Sequence, residues 1–404
     1  MTGSKDIIEY FNESIDKENH NLLLLYNEKK YDDAEILAIS LCKRFPKEAF
    51  SWKILGAIAN LRGKISDAFN FFQESSKLAP KDSNIFFNLG VIHKKLGRLE
   101  EAEESYKKAI SIKPTHVNAY NNLGVIYRKL GRIIEAEQCY MQAISIDPNH
   151  FNAFYNLGIV QTKLGKIEES EKNYQQAILL NPNFLSAKYM LSSLTGDSQP
   201  SSAPKEYIEG LFNNFADHYE SLMIEKLEFK VPGIIRKIIL DNSESHLGSL
   251  IDLGCGTGLF GKEIQSFCHY LEGIDLSEKM LEIANKKNIY NQLIQVDILE
   301  HLKNASLNFN YYVASDVLIY IGDLSDLFKL IKSRNQSRGK LVFSVEDYEG
   351  KDFILRKSGR YAHSKKYIEN LCKEFGYTLT HFETKTARYD NDIPITFGFY
   401  ILDF

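Results

Sequence analysis

Residues 247–264 read LGSLIDLGCGTGLFGKEI: a leucine and β-branched run at 250–253 turns through three alternating glycines into a helical pattern. Gly254, Gly256 and Gly258 remove side chains where the backbone must bend tightly and where a ligand must approach to van der Waals contact. The helix start behind them offers unpaired N–H groups. A glycine turn between strand and helix is shared by several nucleotide-binding sheets, and spacing separates them. The G-x-G-x-x-G fingerprint of dinucleotide-binding sheets would place its third glycine at 259, where this chain has Leu259. That departure disfavours a nicotinamide-dependent oxidoreductase.

Working outward, each following apolar run ends in an acidic residue. YLEGIDLSEKML ends its strand at Asp275, 17 residues beyond Gly258, where a carboxylate can accept both hydroxyls of a ribose. Leu276 comes next, Ser277 reads as a helix N-cap, and Met280 sits one turn on, placed to pack against a nucleobase. LIQVDIL ends at Asp297, suited to an exocyclic amine, with Ile298 offering an adjacent backbone N–H. FNYYVASDVLIYIGDL carries Ser315 and Asp316 at the mouth of a fourth strand, beside the glycine loop. Any one of these aspartates reads equally well as a cap or turn residue. With Asp252 on the first strand they make four in succession, each with an apolar run and before a helical pattern, and indicate a doubly wound parallel sheet with its ligand across the carboxyl edge. KLVFSVE supplies a fifth strand and SKKYIENLCKEFG a helix, and TLTHFETKTARY with ITFGFYILDF predicts an antiparallel closing hairpin.

With Asp252 on the strand, D-L-G-C-G-T-G resembles motif I of class I methyltransferases. The resemblance implies a Rossmann-like domain with a seven-stranded sheet, S-adenosyl-L-methionine as cofactor and S-adenosyl-L-homocysteine as product. It places Asp252, Gly254, Cys255, Gly256 and Gly258 around the cofactor, Asp252 accepting from the methionine amino group or the loop backbone. Asp275, Leu276, Met280, Asp297, Ile298, Ser315 and Asp316 complete that expected set. The ends at Asp297 and Asp316 differ from the D/N-P-P-Y signature of amine methyltransferases acting on adenine or glutamine.

The likeness extends to the flanks. The chain resembles the bacterial family of predicted methyltransferases carrying tetratricopeptide repeats, in which F-x-x-x-A-x-x-Y/F precedes the glycine loop and S-G-R-Y-A-H-S follows it. Here these are Phe212, Ala216 and Tyr219, then Ser358 to Ser364. Asn213 and Glu220 stand where that family tends to have Asp. Methyl transfer from a sulfonium is an in-line displacement that chiefly needs alignment and exclusion of water. Tyr219 is a candidate lid residue or a core aromatic, and Tyr320 a candidate wall of the acceptor pocket. Arg360, Tyr361 and Arg388 are candidates for the substrate side, where arginines bind carboxylate or phosphate. His363 reads as a general base or as the N-cap of the helix after it.

The N-terminal half is a different object. Pro46, Pro80, Pro114, Pro148 and Pro182 are spaced 34 residues apart, and Leu55-Gly56, Leu89-Gly90, Leu123-Gly124 and Leu157-Gly158 recur in phase. So do Gly63, Gly97, Gly131 and Gly165, and Ala68, Ala102, Ala136 and Ser170. The pattern resembles the tetratricopeptide repeat, a helix-turn-helix unit of this length. Repeats are predicted at 15–48, 49–82, 83–116, 117–150 and 151–184, the first degenerate because Glu18 and Leu22 replace the expected aromatic and glycine. A capping helix at 185–195 closes an array over 1–196, DSQPSSAP at 197–204 reads as a linker, and 205–404 forms the second domain.

Asn88, Asn122 and Asn156 share one place in three successive repeats. A carboxamide both donates and accepts, so such a ladder on a concave face can pair with the main chain of a bound peptide, as in the repeat domain of O-GlcNAc transferase, which this stretch resembles. The alternative is bridging between helices of the array itself. A column of Lys94, Lys95, Arg128, Lys129 and Lys163 favours an acidic partner if it lines the groove and is ordinary solubilising charge if it does not.

Lys and Arg number 49 against 53 Asp and Glu, so no whole-molecule field suggests nucleic acid or an anionic membrane. Five scattered cysteines without metal-ligand spacing fit a reducing compartment and no metal. The charged N-terminus and lack of a long apolar run predict a cytoplasmic protein without a membrane span. Two functions follow: a methyltransferase whose repeats recruit a protein, peptide or carrier-bound substrate, or a repeat scaffold with a non-catalytic domain. Oxygen, nitrogen and carbon acceptors and every oligomeric state are left open.

Overall fold

The 34-residue period becomes five helix pairs in a computed structural model that describes residues 3–216, 219–226, 228–243, 246–390 and 393–404. The chain divides into two compact units, Met1–Pro182 and Asn183–Phe404.

In the first unit the pairs are Gly3–Asn27 with Tyr31–Arg44, Ala49–Leu61 with Ile65–Leu78, Ser83–Lys95 with Leu99–Ile112, Val117–Lys129 with Ile133–Ile146, and Phe151–Lys163 with Ile167–Leu180. Close approach explains the in-phase glycines. A Cβ built on Gly90, Gly124 or Gly158 would stand 2.6 Å from the ring of Tyr106, Tyr140 or Tyr174, and one on Gly56 would stand 2.8 Å from Phe72. The four rings are at most 1% exposed, so each glycine is the socket for one buried aromatic. The degenerate first repeat reverses the sizes: Leu22 replaces the glycine and Ala38 replaces the ring, both fully buried in one apolar cluster. Volume is conserved while the large residue changes sides.

Two serines replace alanines of the period, and both are satisfied. Ser170 Oγ donates to the Gly158 carbonyl at 2.7 Å and Ser75 Oγ to that of Ala49 at 2.9 Å. Each helix turn closes on a left-handed residue, Gly63, Gly97, Gly131 and Gly165 at φ 72° to 75° and Lys29 at 60° in the first repeat. First helices also share a cap position. Glu48, Asp82, His116 and His150 each accept a backbone N–H of the helix that follows.

The second unit opens with helices Leu185–Thr195 and Lys205–Phe215. The helix expected to cap the array therefore counts with the sheet: Tyr189 donates its hydroxyl to the Gly359 carbonyl at 2.9 Å and packs on the rings of Tyr207 and Tyr361. The predicted linker is tied down as well. Ala203 N–H donates to the Tyr320 carbonyl, and Gly322 and Asp323 N–H donate to that of Ser201.

The sheet runs β1 (Ser249–Leu253), β2 (Tyr270–Asp275), β3 (Gln292–Gln295), β4 (Tyr311–Ala314), β5 (Lys340–Asp347), β6 (Phe353–Leu355), β7 (Tyr361–His363), β8 (Thr378–Asp390) and β9 (Ile393–Asp403). Strands β1 to β5 are parallel in the order 3-2-1-4-5. Strand β9 runs antiparallel beside β5, with β8 outside it, the expected closing hairpin. These seven strands are the anticipated set. Beyond the end of β4, the β6–β7 hairpin pairs with Glu346 and Asp347 at the tip of β5, which no periodicity announced.

Side chains of β5 alternate between two cores. Leu341, Phe343 and Val345 join the core of Phe328, Leu371 and Tyr400, and Val342 joins that of Val231, Ile235 and Phe397. On the second face the next inward residues are Ser344 and Glu346, both buried. That face therefore turns polar toward the carboxyl edge, where the loops converge.

Candidate functional site

The glycine loop is pinned to its neighbour. Gly254 and Cys255 N–H both donate to the Ile274 carbonyl, at 2.8 and 2.9 Å. Gly254, Gly256 and Gly258 all have positive φ, 72°, 54° and 84°, a backbone that side chains disfavour. A Cβ on Gly254 would overlap Val317, whereas one on Gly256 would meet nothing within 4 Å. Gly254 thus serves packing against the end of β4, and Gly256 faces open space.

Asp275 organises the loop. Its Oδ2 accepts the Gly256 N–H and its Oδ1 the Ser277 N–H, both at 2.8 Å. Burial raises its pKa, and those backbone N–H groups oppose the rise. Ser277 is the predicted cap, accepting the Met280 N–H at 3.3 Å, and it also donates to Asn213 at 2.7 Å. Met280 is 1% exposed. Asp297 caps a helix, its Oδ1 accepting the Glu300 N–H at 3.0 Å, with Ile298 beginning the helix behind it.

Asp252 is fully buried, and desolvation pushes its carboxyl up to about 7. The Tyr290 hydroxyl donates to its Oδ2 at 2.6 Å. Sequence reasoning missed Tyr290. It reaches Asp252 only because Gly261 and Gly273 lack the side chains its ring would strike, and a lone tyrosine between a helix and a strand carries no pattern.

Several buried polar atoms near the loop have no hydrogen-bond partner: Asp252 Oδ1, Thr257 Oγ1, Ser315 Oγ and Asp316 Oδ1. Buried polar atoms are ordinarily paired, so a group of four on β1, its loop and the end of β4 fits a polar ligand across this edge. Tyr219 and Tyr320 flank the same edge, each in edge contact with the Phe212 ring at 6.2 and 5.5 Å. Desolvation raises the Tyr219 phenol well above its usual value, and Asp316, Tyr320 and Asp275 are among the groups that act on it.

Other expectations need correction. Arg388 binds no free anion: it is 2% exposed and donates to Glu346 at 2.6 Å and Asp316 at 3.1 Å. Arg360 lies among Tyr320, Glu346 and Asp316. Tyr361 is fully buried and donates to the Pro200 carbonyl at 2.6 Å, a structural tether. His363 is neither surface base nor cap. Ser364 caps the following helix, accepting the Tyr367 N–H, while the His363 ring is buried with Nε2 at 2.8 Å from the Gly322 carbonyl.

Burial lowers the His363 pKa to about 4. A depressed value means that stability from the neutral ring is fully present above the unfolded pKa near 6.5 and is lost as pH falls toward 4, about 3 kcal/mol in all. Melting temperatures should show this. The difference between wild type and His363→Gln should shrink as pH drops from 7 to about 4; a constant difference would reject the neutral buried ring.

In the first unit the asparagine column is partly used internally. Asn156 donates to Asn121 at 3.0 Å, and Asn122 donates to the Tyr106 hydroxyl at 3.4 Å. Asn88 is half-buried, and Lys95 donates to Asn60 at 2.7 Å. Among the described residues no cluster of His, Cys, Asp and Glu could hold a metal, and no helix is long and apolar enough to cross a membrane.

The chain joins tetratricopeptide repeats to a methyltransferase domain. Residues 81–149 and 115–180 match the tetratricopeptide repeat family, and residues 225–382 match a methyltransferase domain family. Similar curated proteins are the malonyl-[acyl-carrier protein] O-methyltransferase of Legionella pneumophila, 26% identical over 30% of this chain and 45% of that protein, and the ubiquinone biosynthesis O-methyltransferase of Coxiella burnetii, 23% identical over 33% and 56%. The biotin biosynthesis bifunctional protein BioHC of Saccharophagus degradans is 24% identical over 46% and 35%. The chain thus spans about a third to just over half of the length of these relatives. Among solved structures it is similar to YrrB, described as a TPR protein with an unusual peptide-binding site, at 19% identity, covering 47% of this chain and 97% of that one, TM-score 0.38.

Proposed function

We propose that the chain is an S-adenosylmethionine-dependent methyltransferase whose repeat array recruits a protein, peptide or carrier-bound substrate. The observation that carries the reading is the glycine loop held by Asp275 beside four unpartnered buried polar atoms. Gly256, open in front, admits the cofactor backbone. Asp275 holds the ribose, Asp252 and Ser315 meet the amino-acid end, and Met280 with Asp297 and Ile298 frames the base. The cofactor supplies an electrophilic methyl on sulfur. This chain's residues orient the acceptor and exclude water, Tyr219 and Tyr320 walling the space. Recruitment by the array is supported by the amide-rich first helices, and a carrier-bound substrate by a relative whose name gives its substrate on a carrier protein.

Calorimetric titration with S-adenosylmethionine tests the first part: binding with a dissociation constant on the order of micromolar is expected, and no heat up to about millimolar would leave only a repeat scaffold. For the array, Asn88, Asn122 and Asn156 replaced together by Ala should lower methyl transfer into extract at unchanged cofactor affinity. Equal transfer by that variant would reject recruitment through the ladder.

A further inference from the structure

Asp316 stands at the end of β4 with φ 57°, a left-handed conformation that a side chain resists. Such outliers persist where the surroundings impose them. Here the imposition is visible: the Asp316 N–H donates to Ser344 Oγ at 3.0 Å, and Oδ2 accepts from Arg388 Nη1 at 3.1 Å. Arg388 donates through Nη2 to Glu346 at 2.6 Å. The side chains of Arg388, Glu346 and Asp316 are 2%, 3% and 6% exposed.

All this holds one carboxylate in place and leaves half of it unused. Asp316 Oδ1 is buried without a hydrogen-bond partner, and so are the adjacent Ser315 Oγ and Arg388 Nε. The next residue, Val317, packs so tightly on Gly254 that a Cβ there would overlap it, which sets Asp316 directly beside the glycine loop. Tyr219, whose ring meets that of Phe212, feels the charge of both Asp316 and Asp275.

We propose that Asp316 Oδ1 receives the hydrogen of the acceptor's attacking atom, so that the acceptor is a hydroxyl or amine and not a carboxylate. The inference rests on the methyltransferase reading and goes beyond it in naming the acceptor chemistry. Hydrogen bonding supports the choice. A carboxylate acceptor carries no hydrogen for the buried, unpartnered Oδ1, and its own oxygen would face that oxygen with no donor between them. A neutral O–H or N–H supplies the missing donor. In the transfer, the acceptor's oxygen or nitrogen bonds to the methyl carbon as the carbon–sulfur bond of the sulfonium donor breaks. The acceptor's proton passes to Asp316 Oδ1 and then to solvent, leaving a methyl ether or methylamine and a thioether.

The test uses the full chain, S-adenosylmethionine tritiated on its methyl group, and fractionated cell extract as the acceptor source. Label transferred by the wild type should survive mild alkali, as ethers and methylamines do. Volatile methanol released by alkali marks a methyl ester and overturns the proposal. At saturating S-adenosylmethionine, Asp316→Asn should transfer label roughly 100-fold more slowly. Undiminished transfer at saturating donor overturns it too. Should the variant not fold, the alkali result on the wild type decides. A wild type that takes up no donor sinks the underlying methyltransferase reading instead, so the two failures are distinct.

Discussion

Asp275→Ala should weaken S-adenosylmethionine binding by about two to three orders of magnitude while the repeats stay folded. One carboxylate here does two tasks. Its oxygens fix the Gly256 and Ser277 N–H groups, and the same group is the expected partner of the ribose hydroxyls. Hydrogen bonds to a charged group contribute about 1.5–3 kcal/mol each. Losing the sugar contacts together with the loop's anchor thus predicts a loss of about 3–4 kcal/mol in binding. Asp275→Asn, which keeps one acceptor, should fall between. Calorimetry checks the series, and an alanine variant within tenfold of wild type would place the ribose elsewhere.

The second large effect concerns the helix pairs. Gly124→Leu should destabilise the first unit by about 3 kcal/mol or more, because its Cβ alone would stand 2.6 Å from the Tyr140 ring. Tyr140→Ala should cost about 3–5 kcal/mol by opening a cavity. Combined, the two should recover at least about 2 kcal/mol relative to their sum. The double variant reproduces the Leu22 and Ala38 arrangement that the first repeat already uses. Thermal and denaturant unfolding of the four proteins completes the cycle; strict additivity would show that Leu22 and Ala38 are not a matched exchange.

These two cases mark how far the sequence could be read. The glycines at 34-residue spacing and the glycine loop were both visible, because each reflects a local requirement repeated or concentrated along the chain. The loop's chemistry was legible at Asp275 and Ser277, whose partners are near in sequence or on the adjacent strand. It was not legible at Asp252, whose hydroxyl partner Tyr290 lies 38 residues away. At Asp297 the two readings, cap and ligand, use the same residue type, and the hydrogen bond from Glu300 occupies only Oδ1.

The substrate side was the least legible. Arg388 and His363 looked like open functional groups because arginine and histidine often are. Arg388 instead meets carboxylates 42 and 72 residues distant, and His363 a carbonyl 41 residues distant, in segments brought together only by the sheet.

By itself, the chain's pattern determined the helix pairs, the alternation of strand and helix, and the position of the glycine turn. Those are properties of spacing and local backbone freedom, written within a few dozen residues. Tertiary structure alone decided which charges would be paired, which ring would reach Asp252, where the β6–β7 hairpin would join β5, and that Asp316 would keep one oxygen bare. The physical reason is that pairing and burial depend on which distant residues the sheet places within about 3 Å of one another, and no periodicity along the chain encodes that distance.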